Sequence, residues 1–136
     1  MSTAKTSLDV SQQKAVYGEA FDPSTPDIAV VELSATWCGP CIRAVPHLND
    51  IQTKFPEVKI LSIFADPASK IRAAIPNETK YVISVVAGET FQDWCKLLDT
   101  SGIPHAAILK KGEVVWKGHP GTPDFEATLT KLTKKD

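Results

Sequence analysis

The strongest constraint on this chain is an abrupt change of pattern between residues 28 and 55. Ile28-Ala29-Val30-Val31-Glu32-Leu33-Ser34 is a near-continuous apolar run of strand length, as expected for a central strand buried on both faces. Trp37-Cys38-Gly39-Pro40-Cys41 follows, and from Gly39 to Phe55 the residues Ile42, Val45, Leu48, Ile51 and Phe55 recur at helical spacing. A cysteine pair therefore stands where a buried strand hands over to a helix. Unpaired backbone N–H groups and the positive end of the helix dipole converge there on Cys38. That setting favours the thiolate, the nucleophilic form of cysteine. Cys41 lies one turn further in, close enough to close a disulfide. Pro46, inside the same helix, removes a backbone donor and predicts a kink.

A close cysteine pair reads as a redox centre or as half of a zinc site. Zinc sites of this kind need four ligands, and Cys95, His47, His105 and His119 are scattered singly. No metal is therefore expected. In the redox reading Cys38 attacks a substrate disulfide, and Cys41 then attacks Cys38 and releases the reduced substrate. Gly39 and Pro40 add neither charge nor donor, and Trp37 offers a flat apolar surface to a partner protein.

The remaining segments alternate in type. Residues 1–14 read as a flexible polar tail, with Val16, Tyr17 and Phe21 as a short edge segment. Asp22 to Asp27 carries turn chemistry. Val58 to Phe64 is a second strand, Pro67 to Ile75 a short helix, and Tyr81 to Val86 a strand closed by Gly88. Thr90 to Leu98 has Phe91, Trp94, Cys95 and Leu98 on one helical face. Ala106 to Leu109 and Val114 to Trp116 form a hairpin about Lys110-Lys111-Gly112-Glu113. Asp124 to Leu132 is a terminal helix with Phe125, Leu129 and Leu132 as its stripe. The expectation is an α/β fold, a mixed central sheet flanked by helices, in one domain over 1–136. A net charge of -1 gives no case for nucleic acid or a membrane surface. The N-terminus lacks the apolar core of a secretory signal, so a cytoplasmic monomer is expected, with an exported mature form as the alternative.

From about residue 28 onward the chain resembles the thioredoxin superfamily. Pro46 stands five residues after Cys41, like the helix-kinking proline of thioredoxins. Gly102-Ile103-Pro104 matches the stretch holding their cis-proline, Gly112-Glu113 their hairpin turn, and Gly118 the glycine near their active surface. The resemblance implies a thioredoxin fold and a protein-disulfide reductase whose redox centre is the Cys38–Cys41 pair, with no cofactor. It implies disulfide-containing protein substrates and a thioredoxin-reductase-like electron donor. Cys38 and Cys41 become catalytic, and Trp37, Gly39, Pro40, Ile103, Pro104 and Gly118 substrate-binding. Pro104 would face the disulfide and leave the backbone of Ile103 free to pair with a substrate.

Three departures qualify the match. The strand and helix over Tyr81 to Asp99 look like the insertion of the TlpA-like and redoxin branch. The ending from Val115 to Pro120 is also TlpA-like. Glu32 replaces the aspartate six residues before the first cysteine; burial raises the pKa of such a group, fitting it as a general base toward Cys41. Ser62 stands where thioredoxins carry a companion lysine. The alternatives are a redox-inert binding or metal-chaperone module and a peroxide-reducing redoxin, the latter supported by Arg43 alone. Cys95 reads as a small hydrophobe in a core, with a third redox thiol as its other role. His47 is expected to face solvent. His105 and His119 each divide between tuning the active surface and having no task.

Overall fold

In the computed structural model, which describes residues 6–134, the apolar run becomes β2 (Ile28–Leu33), all six of whose residues are buried. It is flanked by β3 (Lys59–Phe64), running parallel, and β5 (His105–Lys110), running antiparallel. With β1 (Lys14–Tyr17), β4 (Val82–Val85) and β6 (Glu113–Gly118), the sheet order is β1-β4-β3-β2-β5-β6. The sheet is mixed, as expected for this α/β fold. The inserted strand β4 joins it directly, parallel to β3 and antiparallel to the edge strand β1.

Alternation along β2 divides the core, because successive side chains point to opposite faces. Ile28 and Val30 pack with Leu48 and Ile51 of α1 (Gly39–Lys54), Ile71 of α2 (Ala68–Ala74), and Phe125 and Leu129 of α4 (Pro123–Thr133). Ala29, Val31 and Leu33 pack on the other face with Trp94 of α3 (Gly88–Leu97) and with Leu8. The insertion thus supplies a strand to the sheet and a helix to the face opposite α1.

The expected boundaries need three corrections. Gly88 is the first residue of α3 instead of the end of β4. The polar tail drawn over 1–14 is not free along its second half; its first five residues lie outside the described part. Leu8 is 1% exposed, Val10–Gln12 form a 3-10 turn capped by Asp9, and Lys14 already belongs to β1. The Asp22 carboxylate accepts from the backbone N–H of Leu8 at 3.1 Å and of Ser24 at 2.9 Å, tying this segment to the turn before β2. Lastly, His47 does not simply face solvent: its Nε2 donates to the carbonyl of Pro120 at 2.9 Å, and its ring stands 6.4 Å from that of Phe125. The β5–β6 hairpin turns through Lys111 (φ 50) and Gly112 (φ 83), the pair of positive φ values that matches strand twist in a two-residue turn.

Leu8→Ala tests the packed N-terminal segment. Emptying a fully buried leucine site should cost about 2–4 kcal/mol in urea unfolding, whereas a mobile tail would show almost no change.

Candidate redox site

Two contacts hold the connection between β2 and α1 at the C-terminal end of the central strand. Ser34 N–H donates to the Ile63 carbonyl at 3.1 Å. Thr36 donates to the Asp66 carboxylate twice, from its N–H at 3.3 Å and its Oγ1 at 2.7 Å. Asp66 stands thirty positions from Thr36, so nothing local in the sequence signals this tie. With the connection pinned, Cys38 becomes the N-cap of α1 and Pro40 occupies its first turn, where a missing N–H costs nothing.

Cys38 and Cys41 are at disulfide distance, their Cα atoms 5.2 Å apart, within the ordinary range for such a bond. The two sulfurs differ in surroundings. Cys38 Sγ accepts the Cys41 N–H at 3.3 Å and its residue is 7% exposed, against 1% for Cys41. After reduction, the same amide and the helix dipole favour negative charge on Cys38. Cys41 is screened from water and has no comparable donor among the described residues.

The residues nominated around the pair divide by position. The Ile103–Pro104 bond is cis, and the Ile103 carbonyl oxygen lies 3.7 Å from Cys38 Sγ. Ile103 packs against the cluster of Ala35, Cys38 and Cys41. Trp37 is 78% exposed beside the cysteine. Gly39 is exposed, and a Cβ there would come within 3.0 Å of the Arg43 guanidinium. Gly118 ends β6 opposite Ala106, and the Trp116 ring occupies the space a Cβ would need. It sits at the same end of the sheet as the cysteines.

Glu32 lies beneath α1. It shares the sheet face of Ile28 and Val30, and the chain runs out along β2 and back along α1. The end of the strand is therefore covered by the start of the helix, whose inward stripe begins Cys41, Ala44, Leu48. Glu32 is 1% exposed, and burial pushes its carboxyl up to about 8 against a small opposing pull from the Ser62 hydroxyl. Ser62, its register partner on β3, donates to Oε1, while Oε2 has no partner among the described residues.

The other sequence candidates are placed less actively. His105 pairs with Leu33, and its buried Nε2 has no partner among the described residues. Burial, then the charges of Lys117 and His119, lower its pKa, so it holds a neutral ring that brings no positive charge to Cys38. His119 Nδ1 accepts the Gly121 N–H at 2.9 Å within its own loop. Cys95 is a free thiol, pushed up by burial and packed against the α3-side core. It also lines a cleft of about 570 Å³ with Trp37, Phe91, Thr100 and Ile103. That cleft, walled by the insertion, was not foreseen from sequence. Among the described residues no group of three or more His, Cys, Asp or Glu is placed to hold a metal ion.

Comparison with known proteins agrees with this geometry. Residues 10–76 match the family model Thioredoxin. The chain is 31% identical over 62 residues to horse thioredoxin and 32% identical over 60 residues to human thioredoxin. These matches cover 46% and 44% of this chain, and it spans 59% and 57% of the length of those curated relatives. Solved structures align over more of it. A thioredoxin-like protein from Aeropyrum pernix superposes with a TM-score of 0.68 at 17% identity, covering 98% of this chain and 90% of that one. The thioredoxin domain of a thiol-disulfide oxidoreductase from Bacteroides vulgatus gives 0.70 at 17% identity, covering 96% and 99%.

The buried carboxyl predicts a pH signature in stability. Its folded pKa of about 8 lies above the ordinary 4.5, so between those values the folded state keeps a proton that the unfolded chain has lost. Stability contributed by the neutral carboxyl is complete below pH ~4.5 and falls as pH rises through about 8, a loss on the order of 5 kcal/mol. Urea midpoints of the oxidised protein should drop across this window relative to those of Glu32→Gln. Parallel pH profiles for the two proteins would contradict the assignment.

Proposed function

We propose that this chain, whose residues 10–76 match the family model Thioredoxin, is a member of the thioredoxin superfamily that reduces protein disulfides through Cys38 and Cys41. The redox centre in this family is its own cysteine pair and needs no cofactor. The reading is carried by the inequality of the two sulfurs. One caps a helix and accepts an amide N–H, while the other is buried on the first turn of the same helix.

The Cys38 thiolate attacks one sulfur of the substrate disulfide, forming a Cys38–substrate bond and expelling the other substrate sulfur as a thiolate. Cys41 then gives its proton to the Glu32 carboxylate and attacks Cys38 Sγ. The Cys38–Cys41 bond forms, the substrate's second sulfur leaves reduced, and the two electrons have come from the cysteine pair. Glu32 suits this transfer because its pKa of about 8 is close to that of an ordinary thiol, so the proton moves with little energetic penalty. The substrate backbone lies along Ile103 and Pro104, with Trp37, Gly39, Pro40 and Gly118 forming the surrounding surface. A separate reductase of the thioredoxin-reductase type returns the pair to its dithiol form.

Dithiothreitol-driven insulin reduction tests the reaction. The wild type should outpace dithiothreitol alone, Cys38→Ser should not, and Cys41→Ser should accumulate a mixed disulfide on Cys38. A wild type no faster than dithiothreitol would remove the proposal. Glu32→Gln should slow release of the mixed disulfide by at least tenfold, within the range of general-base catalysis, with the first attack nearly unchanged. Equal release rates would exclude Glu32 as the base.

A further inference from the structure

Glu32 has one oxygen engaged and one not, and a single side chain makes the difference. On β3, Ser62 is the register partner of Glu32, and its hydroxyl donates to Oε1. On the other side β5 sets Ala106 against Glu32, a methyl group that offers no hydrogen bond. Tyr81, before β4, is a titratable group that the carboxyl's charge reaches, and burial together with that charge holds its phenol in the neutral form. From α4 this face receives Phe125 and Leu129, both apolar. α1 brings Leu48 and Ile51 to this face, and Cys41 on its first turn is held in the disulfide. Oε2 has no partner among the described residues.

We propose that Ser62 is the positioning residue for Glu32: its hydroxyl holds Oε1 and turns Oε2 to be the oxygen that exchanges a proton with Cys41. The inference rests on the reading of Glu32 as the base of the second exchange. Two consequences follow from the chemistry of a neutral donor. A hydroxyl hydrogen bond stabilises the carboxylate over the carboxylic acid, so it lowers the pKa that burial raises. It also restricts rotation of a group that would otherwise present either oxygen, which matters for a transfer requiring hydrogen-bond reach. A cationic partner would hold the carboxylate ionised. Ser62 leaves it able to cycle between charged and neutral forms near neutral pH.

Stopped-flow measurement of the two exchanges against pH, with a peptide disulfide as substrate, tests this in the full chain. In Ser62→Ala the release of the mixed disulfide should be roughly tenfold slower at pH 7, the scale of a lost hydrogen bond to a charged group. Its pH midpoint should move upward, with the rate of first attack by Cys38 unchanged. Ser62→Thr, which keeps the hydroxyl, should restore both rate and midpoint. It also provides a second reading if Ser62→Ala folds poorly. An unchanged midpoint in Ser62→Ala, equal slowing of both exchanges, or failure of Ser62→Thr to rescue would overturn the proposal. Glu32→Gln separates the two levels. If it removes the pH-dependent release while Ser62→Ala leaves release untouched, the role of Ser62 fails alone. If Glu32→Gln releases like wild type, the underlying reading of Glu32 fails and the positioning role fails with it.

Discussion

The structure depends on burying β2 completely, with a carboxyl group near its end. Hydrogen bonds from β3 and β5 satisfy its backbone on both edges, and α1, α4 and α3 cover its two faces. Such a strand has one place for chemistry, the end where the chain leaves the sheet. Ser34 and Thr36 are pinned there, so the first turn of α1 begins at a defined point with Cys38 as its cap. Glu32 is the cost of this arrangement: fully enclosed, it is pushed toward its neutral form.

The same geometry makes the cysteines unequal. Cys38 is at the helix terminus, where an amide N–H and the dipole favour an anion. Cys41, one turn on, is buried against Ala35 and Ile103. In the proposed exchange the nucleophile must be anionic and reachable, whereas the resolving thiol must wait as a thiol until the mixed disulfide forms. Placing the pair at the start of a helix on a buried strand separates those two requirements by a single turn.

Much of this was legible in the chain because its signals are local. The all-apolar run of β2, the helical spacing through Phe55, and the two-residue turn at Lys111-Gly112 each depend on neighbours within a few residues. The cysteine motif was readable for the same reason, whereas Pro104 and Glu32 were singled out by the resemblance to the thioredoxin superfamily. What sequence left out depends on pairs distant along the chain. The Thr36–Asp66 tie, the Ser62–Glu32 bond, the His47–Pro120 contact and the burial of Leu8 against α3 arise only when the sheet order is set. The cleft beside Trp37 arises in the same way, because α3 must first cross to the face opposite α1.

The proposed exchange requires one sulfur of the pair to be acidified and the other not. Ultraviolet thiolate absorbance of the reduced protein against pH, with Cys38→Ser and Cys41→Ser for assignment and Cys95→Ser as background, measures this difference directly. The account predicts a Cys38 thiol titrating below the ordinary cysteine value of about 8.5 and a Cys41 thiol above it. Two thiols titrating together near the ordinary value, or Cys41 as the more acidic, would contradict it.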